Sequence, residues 1–420
     1  MKFPTFIGLL FLAPPSLCCA AEGSVPTGVP PLDHVFVIMM ENHNIDQILG
    51  NANAPFINGL ARSANLASNY YAIAHPSLTN YLETVGGSNF GVLSDNPPDW
   101  HNATCLPNLA TKLSATTNPA SPPICPISGV GSDAATPAID FSGNVTRAPG
   151  PPGEINIDGI LSVPAASDIL GITIADQLEK HGRSWKSYEE DLPQSGADFV
   201  SYSDGVFTNK TDFSHIAAPS PALSQSDVVQ LYAVKHNPFA YFKSTQEAGL
   251  ENMAGFDGQK GLFADLAGGT VPAFSFIAPN QCNDQHGRGN AGAVCKYDSA
   301  SDGTPEGLNP ALLIRADEAV SRLVSAIHSS PIWKTASAGG TPSRSAIILL
   351  WDENDYGAAP EKNRVLLIVD TNYGVHSLQS SVFYTHFSFL KSLEAGFGLP
   401  CLNHACDSGV EVMSDLFAEK

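Results

Sequence analysis

Two segments of the chain share one pattern of apolar and polar positions. In the first, HVFVIMMENHNIDQILG (34–50), an apolar run from Val35 to Met40 turns abruptly polar at Glu41 and Asn42. In the second, SAIILLWDEND (345–355), a similar run ends in Asp352 and Glu353. A continuous apolar run of this length, carrying β-branched residues, predicts a strand buried on both faces. In a parallel α/β sheet, the carboxyl end of such a strand is where ligands collect. Elsewhere the pattern predicts a helix over roughly 54–65, a short strand over Asn69–Ala74 and a helix starting near Pro76, which puts Ser77 at or beside a helix N-terminus. Further on it predicts a helix over Ile172–His181, strands over Arg183–Glu190 and Ala273–Ala278, and an amphipathic helix over Ile314–Ser329 with Ala319, Leu323 and Ile327 on one face. A strand over Val365–Val369 and a helix over 386–397 complete the set. Apolar strands alternating with helices predict an α/β fold, a mostly parallel central sheet with helices on both faces. The Pro/Gly/Ser-rich stretches 91–168 and 191–225 read as long loop insertions. With no internal repeat and no clear linker, residues 22–420 are expected to form one catalytic domain.

Composition narrows the partners. The 420 residues carry 21 Lys+Arg against 41 Asp+Glu, a net charge of −20. That balance argues against general binding to nucleic acid or an anionic membrane, both of which need a basic face. Residues 1–21 read as a secretory signal peptide: Lys2, the short apolar run Phe6–Ala13, then Cys19-Ala20-Ala21. A lipid-attachment role for Cys18 or Cys19 fits the preceding residues poorly. The apolar run is too short to span a bilayer, and no later run reaches roughly 18 apolar residues. The expected location is therefore extracellular or periplasmic, without a transmembrane segment. In an exported chain the six remaining cysteines should form disulfides. Their grouping favours local pairs, 105–125, 282–295 and 401–406. Asn102, Asn144 and Asn209 stand in Asn-x-Thr tripeptides that would accept glycans in a glycosylating host.

Four polar strand ends or helix starts carry the candidate chemistry. They are Glu41-Asn42, the HPSLTN segment from His75 to Asn80, Asn283-Asp284-Gln285-His286, and Asp352-Glu353. Carboxylates and a carboxamide at strand ends offer hard oxygen ligands to a cation. Hydrolysis at such a site also needs a nucleophile beside the metal. A serine hydroxyl gains reactivity from metal coordination or from a helix N-terminus. The plainer reading is that Glu41, Asp352 and Ser77 cap helices and that Asn80 faces solvent. Repetition of the acid-bearing strand end in two distant segments weighs against it.

Taken together, the segments MMENHNIDQILGN, APFINGLA, NYYAIAHPSLTNYLETVGGS, SWKSYEEDLP, KHNPFAYF, FSFIAPNQCNDQHG, IILLWDEND and FYTHFSFLKSLEAGFGLP span about residues 35–400. Their ordered combination resembles the phosphoesterase family of acid phosphatases and phospholipase-C-like enzymes, within the alkaline-phosphatase-like superfamily. The resemblance implies a metal site at Glu41, Asn42, Asp352, Glu353 and Asp284, a phosphorylated nucleophile at Ser77, and further catalytic positions at His286 and His386. It also implies substrate contacts from Asn80, Lys235 and His236. Thr79 stands where the family more often has proline, which sets a second hydroxyl near Ser77 and leaves the nucleophile open between them. Val369-Asp-Thr-Asn-Tyr departs from the Ser-Pro-type turn usual there, which leaves the shape of that rim open. His75 is a candidate second-shell residue and His376 is ambiguous, while His101, His181, His215 and His328 lack motif support. The expected cofactor is a divalent metal ion: Mg²⁺, Ca²⁺ or Mn²⁺ for oxygen ligands, Zn²⁺ or Fe where histidine joins. The expected activity is a secreted phosphoesterase acting on small phosphate monoesters through phosphoserine. The alternatives are a phospholipase C and a secreted binding glycoprotein without catalysis. A sulfatase is disfavoured, because Ser77-Leu-Thr-Asn-Tyr lacks the Cys/Ser-x-Pro-x-Arg pattern. Oligomeric state is not legible. Non-reducing peptide mapping should return only the three local crosslinks; a bond between groups would overturn this framework.

Overall fold

The computed structural model describes residues 22–90, 92, 171–192, 231–242, 244–245, 250–287, 310–334, 343–354 and 363–419, with backbone strand pieces at 106–107, 124–125, 139–140, 206–208 and 228–230. Residues 1–21, expected to be a leader, the three Asn-x-Thr tripeptides, Cys105 and nearly all of the two stretches expected to be long insertions lie outside the described residues.

The core is a nine-stranded sheet. In chain order its strands are β1 (His34–Met40), β2 (Asn65–Tyr71), β3 (Trp185–Glu189), β4 (Met253–Ala254), β5 (Phe274–Ala278), β6 (Ser345–Trp351), β7 (Arg364–Thr371), β8 (Gln379–Ser380) and β9 (Tyr384–Thr385). They lie in the order β4-β3-β5-β1-β6-β7-β2-β8, with β9 also on β2. Only β7 runs antiparallel to its neighbours. The two runs singled out in the sequence, β1 and β6, are adjacent and parallel, and Met40 pairs with Trp351. That register carries Glu41 and Asp352 side by side past the sheet edge, where the Asp352 N–H donates to Met40 O at 2.9 Å. β5 and β3, parallel to β1, end at the same edge.

β1, β5 and β6 are buried along both faces, so both sides of the sheet must be covered. The helices fall into two packing groups that do so. One contains α2 (Pro55–Ser63), α5 (Leu262–Gly268), α6 (Pro310–Ser329) and α7 (Pro331–Lys334). The other contains α3 (Ser77–Gly86), α4 (Ile174–Lys180) and α8 (His386–Phe397). The short α1 (Ile45–Ile48) follows β1 and packs on β7.

Three local features have physical causes, and the first departs from the expected bounds. Strand β2 begins four residues earlier than the apolar pattern suggests, at Asn65 rather than Asn69. Asn65 is tolerated in the sheet because its amide donates to Val375 O and Leu416 O and accepts from the Leu378 N–H. Helix α2 has no side-chain cap of its own; Asp317 on α6 accepts the Phe56 and Ile57 N–H groups at 3.0 and 2.8 Å. Ser77 is the first residue of α3, not its cap, which is Pro76. The Cys401–Cys406 disulfide is present. Cys282 is disulfide-bonded, and its partner lies outside the described residues. Among the described residues, no helix is long and apolar enough to cross a membrane.

Helix α3 ends at Gly87, which has φ +69° and donates its N–H to Glu83 O. A Cβ there would stand 2.4 Å from Leu402 O, backbone that cannot swing aside. Gly87→Ala should therefore lower the unfolding free energy by about 1–3 kcal/mol, from the left-handed conformation and the clash together. Urea denaturation should show a lower midpoint; an unchanged midpoint would mean that this junction is not as tight as described.

Candidate active site

Ser77 Oγ lies at the centre of the polar edge. It is fully buried, at 3.0 Å from Glu41 Oε2, 3.1 Å from Glu353 Oε1 and 3.4 Å from Asn42 Oδ1. A hydroxyl has one proton to donate, yet three acceptor oxygens crowd it. Asp352 joins from β6, with Oδ1 accepting the Asn42 N–H at 3.0 Å. Its Oδ2 is buried without a hydrogen bond of good geometry. Asn42 adopts φ 47°, the left-handed region, at this bend; asparagine is among the few residues that tolerate it.

Glu41 faces two ways. Its Oε1 accepts from the Tyr81 hydroxyl at 2.5 Å and lies 3.2 Å from His236 Nε2. His236 stacks on Tyr81, with ring planes 8° apart, and turns Nδ1 toward Asp284 Oδ2 at 3.3 Å. Asp284 Oδ1 accepts the His286 N–H at 2.8 Å, and its carbonyl accepts the Glu41 N–H. His286 Nδ1 lies 2.9 Å from Gly287 O, and Nε2 lies 3.1 Å from Lys235 Nζ. A carbonyl only accepts, so Nδ1 carries the proton and the Nε2 lone pair points into the site. Glu41, His236 and His286 bring ligand atoms within 4.8 Å of one another.

The cluster is electrostatically costly. Burial raises the Glu41 carboxyl well above its ordinary range, and repulsion from Asp352 adds to this, against the charge of Lys235. Burial raises Asp284, with Glu41 adding to it. Burial, then repulsion from Glu353, raises Asp352. These are the shifts expected where carboxylates share a dry pocket.

Every proposed site residue among the described ones lies at this edge, but two have different surroundings from those expected. Asn80 does not face an open pocket. Its Oδ1 accepts the Ile73 and Ala74 N–H groups, and its Nδ2 donates to Ala74 O and to Glu353 Oε2 at 3.3 Å. With both lone pairs and both protons engaged, it shapes the turn before Ser77 and steadies Glu353 instead of reaching outward. His386 is likewise enclosed. Its Nε2 donates to Asp352 O at 2.6 Å and its Nδ1 accepts from the Tyr70 hydroxyl at 2.8 Å. Burial lowers its pKa to about 4, so it stays neutral and holds the β6 strand end in place. The rival hydroxyl, Thr79 Oγ1, donates to Val92 O at 3.0 Å, away from the acids. His75 Nδ1 lies 2.7 Å from Glu353 Oε2. Tyr81 and Tyr70 were not singled out from sequence. Tyr81 had a usable signal, since it follows Ser77 by four positions and shares its helix face. Tyr70 had none, because its hydroxyl meets a histidine 316 positions away.

With this geometry in view, comparison with known proteins is decisive for family. Residues 51–298 match the Phosphoesterase family. The chain belongs to that family. The matched span holds Ser77, Asn80, Lys235, His236, Asp284 and His286, whereas Glu41, Asn42, Asp352, Glu353 and His386 lie outside it. Over 384 residues, 90% of this phosphoesterase-family chain, it is 22% identical to an acid phosphatase of Aspergillus fumigatus and spans 57% of that protein. Over 104 residues it is 36% identical to a phosphatidylinositol-3-phosphatase of Mycobacterium tuberculosis, covering 34% of that protein and 23% of this chain. A solved alkaline phosphatase superfamily protein from Vibrio parahaemolyticus aligns over 90% of this chain and 69% of its own at 11% identity, with a TM-score of 0.43. The chain thus spans between about a third and three fifths of the length of the curated relatives it matches.

The raised carboxyls predict a pH dependence. An acid whose folded pKa exceeds its unfolded one binds more protons in the native state, so stability falls as pH rises above the unfolded value near 4. His386 acts in the opposite sense, but only between about 4 and 6.5. The comparison of variants therefore carries the test: as pH rises above the unfolded carboxylate value near 4, the chelator-treated parent should lose stability relative to Asp352→Asn, which lacks one of the raised carboxyls. Thermal unfolding of both proteins in EDTA from about pH 4.5 upward checks this; a difference between them that does not change with pH would refute the assignment.

Proposed function

We propose that the chain is an exported, metal-assisted phosphoesterase that hydrolyses small phosphate monoesters through Ser77. The observation that carries this reading is the serine hydroxyl at the start of α3, packed among Glu41, Glu353 and Asn42 with Asp352 beside it. One proton cannot satisfy that many oxygens, and Asp352 Oδ2 has no good donor. This all-oxygen set fits a hard divalent cation held by Glu41, Asn42, Asp352 and Glu353. When bound, such an ion supplies positive charge that favours the serine alkoxide and the negative phosphoryl oxygens.

The chain's own groups supply the remaining chemistry. Ser77 Oγ attacks phosphorus while its proton passes to a carboxylate at hydrogen-bond distance, Glu41 Oε2 or Glu353 Oε1. The phosphorus–oxygen bond to the alcohol breaks, the leaving oxygen takes a proton, and phosphoserine remains. Water then attacks phosphorus, the bond to Oγ breaks, and Ser77 regains its proton as phosphate departs. The N-terminus of α3 adds favourable charge at Oγ. Asn80 and His386 position Glu353 and Asp352 and do not touch substrate. His75, on Glu353, steadies that carboxylate from behind. Lys235 and His286 line the other side of Glu41, where an anionic substrate needs positive charge. Acid phosphatases among the relatives support a monoester, and the mycobacterial relative extends that chemistry to a phosphate carried on a lipid head group. Export is supported by the leader-like residues 1–21 and by the Cys401–Cys406 bond.

Ser77→Ala should fold normally, since Pro76 and not Ser77 occupies the cap position. It should lose activity on p-nitrophenyl phosphate by on the order of a thousandfold or more. Thr79→Val should retain most activity. Acid-quenched labelling followed by peptide mass spectrometry should place phosphate on Ser77. Near-normal turnover by Ser77→Ala, or label on Thr79 or a histidine, would overturn the mechanism. A strong preference for intact glycerophospholipid over the monoester would overturn the substrate class.

A further inference from the structure

Far from the polar edge, the C-terminal end of α3 meets a small disulfide loop. Carbonyls in the last turn of a helix have no partner within it. Here two are met from a distant part of the chain. The Asn403 side-chain amide donates to Gly86 O at 2.7 Å, across 317 positions, and the His404 N–H donates to Gly87 O at 3.0 Å. The same loop grips α8: the Leu402 N–H donates at 2.8 Å to Glu394 Oε1, fully buried in the last turn of that helix. α3 and α8 pack against each other, and both begin at the polar edge, with Ser77 the first residue of one and His386 the first of the other. At a rise of about 1.5 Å per residue, the braced ends lie roughly 14 Å from Ser77 and roughly 17 Å from His386. The loop is itself held in shape. Asn403–Cys406 form a single 3₁₀ turn, with Asn403 at φ 45°, which has little hold of its own. The Cys401–Cys406 bond closes it. Gly23 passes over that bond and donates its N–H to Cys401 O at 2.9 Å; a Cβ there would stand 2.5 Å from Cys401 Sγ and 2.7 Å from Cys406 Sγ. From α4, the Gln177 amide donates to Pro400 O at 2.8 Å.

We propose that the Cys401–Cys406 loop is a remote positioning element for the reaction, a brace that fixes the far ends of α3 and α8 together and so sets where Ser77 Oγ stands among its acids. Asn403 is its positioning residue on the α3 side. This rests on the reading of Ser77 as the nucleophile, but its test is separable from that reading. A hydrogen-bonded helix moves as a unit, so freedom at Gly86 and Gly87 reaches Ser77, and a small misplacement of a nucleophile is costly in rate. Lys235, His236 and His286 lie on other segments. Opening the brace should therefore spoil the aim of the serine while leaving the groups that receive an anionic substrate in place.

The test compares the parent chain with Cys401→Ala/Cys406→Ala and with Asn403→Gly, which keeps the bond and the left-handed backbone but loses the amide on Gly86 O. The first readout is single-turnover release of nitrophenol from p-nitrophenyl phosphate with enzyme saturating and in excess, whose rate constant does not depend on the fraction of active protein. The second is amide hydrogen exchange along α3, α8, β1 and β6. The expected result is a rate constant lower by on the order of tenfold in the double variant, and by a smaller factor in Asn403→Gly, with KM little changed. Exchange should quicken in the last turns of α3 and α8 and stay slow in β1 and β6. An unchanged rate constant in a folded double variant would overturn the proposal, and so would faster exchange throughout β1 and β6, which would mean lost stability instead of lost aim. If Ser77→Ala is inactive while the double variant keeps its rate, the brace alone falls; if Ser77→Ala turns over normally, the nucleophile reading falls and takes the brace's role with it. Should the double variant fail to fold, the rate constant of Asn403→Gly decides: a value equal to the parent's would overturn the proposal.

Discussion

Four carboxylates share one dry pocket, and the rest of the molecule can be understood as what makes that tolerable. Glu41, Asp284, Asp352 and Glu353 are all buried at the carboxyl edge of the sheet. Like charges so placed cannot all ionise without a compensating cation or proton. The chain provides part of the compensation: the Asn42 and His286 N–H groups, the Tyr81 hydroxyl, and the Lys235 ammonium. Compensation is incomplete on both sides: Asp352 Oδ2 and Asp284 Oδ2 lack a hydrogen bond of good geometry, and at Ser77 three oxygens compete for one proton. A pocket evolved only for stability would have replaced such acids with apolar groups of similar size, commonly at no loss.

Holding the acids in register falls to the sheet. Because β1 and β6 are parallel and Met40 pairs with Trp351, a slip of one residue would turn every side chain of either strand to the opposite face. Full burial on both faces makes such a slip prohibitive, so the spacing of Glu41 and Asp352 is set by packing remote from the chemistry. The helices fix the third component. α3 brings Ser77 to the edge, and its far end is fastened where the Asn403 amide donates to Gly86 O and the His404 N–H donates to Gly87 O. α8 places His386 against the Asp352 carbonyl. The long-range contacts therefore act on strand ends and helix ends, which are the parts that carry the site.

This division explains what could be read from the chain alone. The runs ending at Glu41 and Asp352 declare themselves because a buried parallel strand needs an unbroken apolar stretch, and both strands lie within a residue of the expected bounds. The placement of Ser77 at the start of a helix was legible from Pro76, and helix 386–397 matched residue for residue. Roles that depend on which hydrogen bonds a side chain has already spent were not legible. Asn80 looked available one turn beyond Ser77, yet all four of its hydrogen-bonding positions are used within the chain. His386 looked like an acid–base candidate, yet both ring nitrogens are committed. Strand β2 was misjudged at its start because the partners that make Asn65 acceptable lie more than 300 positions away.

Glu41 then acquires a role that neither half of the site shows by itself. Its Oε2 meets the Ser77 hydroxyl, and its Oε1 meets Tyr81 and His236. A carboxylate shared in this way couples the two sides, since charge drawn to one oxygen is withdrawn from the other. Positive charge on the His236–His286–Lys235 side makes Glu41 a weaker acceptor for the serine proton; positive charge on the Ser77 side weakens its hold on His236. The two sides cannot be tuned independently. The Lys235 charge acts on both acids at once, favouring the ionised forms of Glu41 and Asp284. The residue before His236 in the sequence is in this sense as much a part of the serine's environment as the strand ends that surround it.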